Sequence, residues 1–197
     1  MPARELDQIE KPKLLAGEGR DETQFFEALL KHLGMTDVQF VDYGGKQKLR
    51  SFLAALPRIP GFAGLQSLGI TRGADDNPAD ARQSIDDAIA NAVFPEFLQV
   101  RSLVLPQEGV NGALESLCIR AFAQEPIAAC IGEYMTCAQR AGFAIDFRVG
   151  NDAKARTQAW LAFHEKPGLR LGEAAQAGRL DWQHSAFDDL KTFLRGL

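Results

Sequence analysis

The feature that most constrains this chain is a repeated alternation of a short apolar run, a turn and a stretch with helical periodicity. The first copy is the sharpest. Leu14-Leu15-Ala16 reads as a buried strand that turns at Gly17-Glu18-Gly19 and opens a helix, with Asp21 as the expected N-cap. Phe25, Phe26, Leu29, Leu30 and Leu33 lie along one side of that helix, which Gly34 ends. Val38-Gln39-Phe40-Val41 starts a second unit, turned by Asp42-Tyr43-Gly44-Gly45 and followed by Leu49, Phe52, Leu53 and Leu56 at helical spacing up to Pro57 and Pro60. A third strand, 66–71, runs through Arg72-Gly73-Ala74-Asp75-Asp76-Asn77-Pro78 into a helix with Ala81, Ile85, Ala88, Ile89 and Ala92 inward. Three strand–helix units in succession imply parallel strands joined by crossovers, an α/β architecture.

A fourth strand is read over 100–105, followed by a loop and a short helix with Leu114, Glu115, Leu117 and Cys118. Pro126 suits the first turn of the next helix, whose expected inner face is Ile127, Cys130, Ile131, Tyr134, Ala138 and Ala141. Ile145 to Val149 reads as a fifth strand or an extended link. Asn151 or Asp152 is the expected cap of a helix holding Lys154, Trp160, Leu161 and Phe163. The end reads as glycine-rich turns and a last helix with Phe187, Leu190 and Leu194. One domain, 1–197, is expected, with a core at about 12–122 and a helical C-terminal extension at about 123–197.

Charge and cysteine usage narrow the function classes. A net charge of −4 argues against a generally basic coat for nucleic acid, so any such binding needs a local patch. Cys118, Cys130 and Cys137 lack CxxC spacing, which argues against a disulfide framework or zinc knuckle; their places in apolar stripes suggest buried structural roles. His32, His164 and His184 lack metal-ligand spacing and read as surface residues. Neither a signal peptide nor a membrane-spanning run is recognisable, so a cytoplasmic protein without a membrane partner is expected.

Two phosphate-binding motifs come close and fail. Gly17-Glu18-Gly19 begins like a dinucleotide fingerprint, but Glu22 stands where the third glycine is required. Gly45-Lys46 resembles the end of a P-loop, but Gln47 replaces the Ser or Thr. What remains is a set of acids at strand ends: Glu18 after the first strand, Asp75 and Asp76 after the third, Glu115 beyond the fourth. Parallel strands bring these ends to one edge, where ligands of open α/β sheets bind. Carboxylates there suit a hard cation such as Mg2+, and with it phosphoryl transfer or phosphodiester cleavage. The plainer reading of each acid is a solvated loop residue, and of Lys46, Lys48 and Arg50 a solvated helix face.

Taken together, these segments resemble a Toprim domain, and more closely the small stand-alone Toprim-like proteins related to OLD-type nucleases. The resemblance rests on Leu15-Ala16-Gly17-Glu18-Gly19-Arg20-Asp21-Glu22, Asp42-Tyr43-Gly44-Gly45-Lys46, the 69–78 stretch, and Gly112-Ala113-Leu114-Glu115-Ser116-Leu117-Cys118. It extends to 154–162 and Leu171-Gly172-Glu173-Ala174-Ala175. One departure stands out, since Gly73 occupies the first position of the family's Asp-x-Asp. The resemblance implies a Rossmann-like sheet and a Mg2+- or Mn2+-dependent nuclease acting on nucleic acid. In that scheme Glu18 is the acid/base or a metal ligand, Asp75 is a metal ligand with Asp76 as its possible substitute, and Glu115 belongs to a second metal position. Lys154 stabilises developing phosphate charge, although a surface lysine is the simpler reading. Lys46 and Arg72 would hold substrate phosphate, with Asp21 and Glu22 as secondary acids. The alternative is a degenerate Toprim module that binds nucleic acid, a nucleotide, a protein partner or a second copy without cleavage. A small-molecule phosphohydrolase is a third reading, without a nucleophile motif.

Overall fold

Side chains alternate across a strand, so a sheet with helices on both faces needs strands that are apolar at every position. The first strand meets that demand. Leu15 enters one apolar cluster while Leu14 and Ala16 enter another, and all three are buried. In the computed structural model, which describes residues 6–143, 149–163 and 168–197, β1 (Lys13–Gly17) is an inner strand of a four-stranded sheet. Its partners are β2 (Val38–Asp42), β3 (Ser67–Gly73) and β4 (Gln99–Leu105), in the order β2-β1-β3-β4. Every pairing is parallel. The α/β reading is correct, and β3 runs two residues further than the sequence suggested, carrying Arg72 and Gly73 into the sheet.

Helices α1 (Arg20–His32), α2 (Leu49–Ala55), α3 (Pro78–Ala92) and α4 (Leu114–Phe122) follow the four strands in turn. Leu49, Leu53, Ala81, Ile85 and Ala88, from α2 and α3, cover one face together with Leu14, Leu68 and Ile70. The other face is covered by α1, α4 and the C-terminal part of the chain. That part comprises α5 (Pro126–Arg140), α6 (Val149–Ala162), α7 (Leu171–Gln176) and α8 (Asp188–Arg195). There Phe25 meets Trp182 edge-on at 5.1 Å, and Phe122 stacks on Trp160 at 5.0 Å. Leu197, the last residue, packs where Gly69 leaves room beside Leu15.

Several local expectations need correction. The N-cap of α1 is Gly19, so Asp21 lies inside the first turn. Neither Asn151 nor Asp152 caps α6, which starts at Val149; Asp152 instead pairs with Arg156 at 2.8 Å. Phe163 lies beyond the end of α6 and is 69% exposed. On α5 the buried side chains are Ile131 and Met135, whereas Cys130, Cys137 and Tyr134 are exposed; a helix has room for only one inner arc, and Met135 takes it. Cys118 is buried as expected. His184 serves as a cap, its Nδ1 accepting from the Ala186 N–H at 3.1 Å. Of the segment read as a fifth strand, 145–148 lies outside the described residues, as does His164. Among the described residues no helix is long and apolar enough to cross a membrane.

Candidate functional site at the carboxyl edge of the sheet

The turns after β1 and β2 are fastened to each other by backbone. The Tyr43 N–H donates to the Gly17 carbonyl at 2.9 Å, and the Gly45 N–H to the Glu18 carbonyl at 2.8 Å. Gly17 is needed for space, not for a left-handed turn. A Cβ there would lie 2.5 Å from Phe40 Cζ and 2.7 Å from Glu22 Oε2. That clearance lets Glu22 fold back under the turn, where its Oε2 accepts the Glu18 N–H at 2.7 Å. Thr71 Oγ1, from β3, reaches the same oxygen at 3.4 Å.

The turns after β3 and β4 are clamped in the same way. Asp75, at φ +50°, exchanges two backbone hydrogen bonds with Gly112, of 2.8 and 2.7 Å. This antiparallel bridge sets the end of β3 against the start of α4, which carries Glu115. Four chain segments distant in sequence thereby meet at one edge.

The electrostatics divide that edge in two. Glu22 is the centre of the acidic part: desolvation, reinforced by the Glu18 and Glu115 carboxylates, pushes its carboxyl up to about 8, despite its hydrogen bonds. Beside it lies a part with cations. Lys46 Nζ pairs with Asp75 Oδ2 at 2.8 Å, which raises the lysine further. The Arg72 charge acts on Tyr43 and Lys46, and its Nε and Nη1 are buried without a hydrogen-bond acceptor. Tyr43 is buried, its OH donating to the Thr71 carbonyl at 2.9 Å; burial holds the phenol far above its ordinary range.

The sequence-derived residues thus sort unevenly. The Glu18 and Glu115 carboxylates both act on Glu22, and Lys46, Asp75 and Arg72 lie beside this group. Asp76 is exposed to solvent beside Asp75. Asp21 turns towards Arg170 and Glu173; partial burial raises its carboxyl and Arg170 opposes the rise. Lys154 is exposed on α6, and among the described residues no hydrogen bond or ion pair links it to the acids. Tyr43 and Thr71 are contributions that sequence reasoning missed. The glycine turn beside Tyr43 was a usable signal; a lone strand threonine offers none.

The donor set is compatible with a hard cation, being all carboxylate oxygen in a field that already holds a proton on Glu22 at neutral pH. It is not a finished cage. Among the described residues no three His, Cys, Asp or Glu side chains surround one metal position. Mg2+ commonly takes only one or two carboxylates, and phosphate oxygens and water complete its shell.

A family model, described as protein of unknown function (DUF3226), matches residues 12–197. The chain belongs to this family. The chain also aligns with the C-terminal region of the Xanthomonas campestris pv. campestris OLD protein, at 13% identity and a TM-score of 0.35. That match covers 96% of this chain and 100% of the other. No functionally curated protein matches this member of the DUF3226 family.

Proposed function

We propose that this edge is the phosphate-handling site of a Toprim-like domain that cleaves or transfers phosphodiesters of nucleic acid, with Mg2+ or Mn2+ as cofactor. The observation that carries the reading is the abutment of the Glu18–Glu22–Glu115 cluster with the cations Lys46 and Arg72. An acidic cluster alone repels phosphate. Flanking cations let the same edge receive it. In this reading Glu18 and Asp75 hold the cation and Glu115 belongs to a second metal position, with Asp76 in reserve and Lys154 peripheral. When bound, the cation would stabilise charge on the attacking and leaving oxygens. Arg72 presents buried donors that lack an acceptor, and a phosphate oxygen supplies one. Lys46 releases Asp75 as it turns to the phosphate, so anion and cation favour each other's arrival. Glu18, at the turn, gives and takes the proton of the reacting group.

The test is calorimetric titration of Mg2+ and Mn2+ into wild type and Glu18→Gln, followed by assays on single- and double-stranded oligonucleotides. Metal binding and metal-dependent cleavage that Glu18→Gln abolishes support the reading. Cleavage unchanged in Glu18→Gln, or none in wild type, sinks it.

A second reading, binding without cleavage, draws on Gly73. A Cβ at that position lies 3.1 Å from Ala113 Cβ, so an aspartate could be accommodated only if Ala113 yields. Under this reading oligonucleotide binding persists in EDTA, ignores Glu18→Gln, and is lost in Arg72→Glu or Lys46→Glu.

A further inference from the structure

The exposed side of α5 has a pattern that the interior does not use. Ile131 and Met135 face the core. Next to that arc, Ile127, Cys130, Tyr134, Cys137 and Ala141 recur at alternating intervals of three and four residues, the a/d spacing of a coiled-coil seam. Ile127 is partly buried, whereas Cys130, Cys137 and Ala141 are exposed and Tyr134 is 64% exposed. Outside the seam stand Glu133 and Arg140, both exposed. Among the described residues neither is held in an ion pair or side-chain hydrogen bond within the chain.

We propose that α5 packs antiparallel against α5 of a second copy of this chain, about a two-fold axis midway between Tyr134 and Cys137. Charge decides both occupant and direction. The stripe carries one acidic and one basic flank residue a heptad apart on the same side. Antiparallel pairing sets Glu133 near the partner's Arg140, and Arg140 near the partner's Glu133. A parallel pair would set these same-side positions apart from each other, because g positions then face e positions. The same axis places Tyr134 on the partner's Cys137 and Cys130 on the partner's Ala141. Both pairs share one midpoint, so a single two-fold satisfies Cys130, Tyr134, Cys137 and Ala141 together. Self-complementary faces of this kind are what two-fold dimers use, and the aromatic Tyr134 near the centre is a suitable anchor.

Sedimentation of the full chain at micromolar concentrations, under reducing conditions, tests the proposal. Wild type is expected as a dimer. Tyr134→Glu and the single reversals Glu133→Arg and Arg140→Glu should shift it to monomer, and the double reversal should restore the dimer. In addition, Ala141→Cys should form an intermolecular disulfide with the partner's Cys130 under mild oxidation, and adding Cys130→Ser should abolish it. A monomeric wild type overturns the proposal. So does a dimer indifferent to Tyr134→Glu, or one that the double reversal does not rescue. Circular dichroism of each variant identifies any that fails to fold, and the disulfide test then decides.

Discussion

The two faces of the sheet are closed in different ways. On one, α2 and α3 come from the crossovers that flank β3, and their apolar stripes meet Leu14, Leu68 and Ile70. On the other, α1 shares its layer with Trp182, Phe187, Leu194 and Leu197, whose positions in the chain lie far from the strand they cover. The first face is assembled from neighbours in sequence. The second requires the chain to return after α6, closing a long loop before its contacts can form. The site lies at the edge where both layers end, so Glu22 on α1 depends on the second face and Lys46, beside α2, on the first.

The largest test of that contrast is removal of 169–197, which strips Phe25 and Leu15 of their cover. The truncated chain is expected to lose its cooperative urea transition. A retained sharp transition would mean that the first face folds by itself. Phe187→Ala is next. Phe187 is fully buried against Phe25 and Trp182, and its truncation should cost about 3–5 kcal/mol by denaturant titration.

Gly17→Ala then probes the joint between the faces. Its methyl would collide with Phe40 and Glu22, with an expected loss of about 1–3 kcal/mol and displacement of the carboxyl. Gly19→Ala serves as the comparison, since nothing lies within 4 Å of a Cβ there.

Glu22 gives a smaller and pH-dependent effect. Between its ordinary 4.5 and about 8 the folded state keeps a proton that the unfolded chain releases. Stability should therefore fall as pH rises through that window, with a slope of up to about 1.4 kcal/mol per pH unit from this group. Glu22→Gln should flatten the profile. If Mg2+ occupies the cluster, its binding near pH 7 should release a proton, visible as a dependence of the calorimetric heat on buffer ionisation enthalpy. The smallest expected effect is that of Lys46→Ala. Its pair with Asp75 is exposed, so stability should change by no more than about 1 kcal/mol, whereas oligonucleotide affinity should fall. A large stability loss would make the pair structural and remove Lys46 from the phosphate reading.

Much of the first face could be read from sequence, because helical spacing in 49–56 and 81–92 reports directly which side is buried. The candidate site was legible in its members but not in its arrangement. Glu18, Asp75 and Glu115 could be assigned to strand ends, yet nothing local shows that Glu22 folds back to the Glu18 N–H, because Gly17 makes room for it only against Phe40 of another strand. On α5 the apolar arc was wider than one neighbour can cover. Periodicity therefore marked Cys130, Ile131 and Tyr134 as inward, and the structure kept Ile131 in the interior but set Met135 beside it.

By itself, then, the sequence determined the α/β class, the four strands, the helices that follow them and the acids at their ends. These depend on local period and turn chemistry, which act over a few residues. Only the tertiary structure decided which residues close the second face, which carboxyl is crowded enough to keep its proton, and which cation lies beside Asp75. Those properties arise from desolvation and from charges brought together across long loops, and neither exists until the chain has closed on itself.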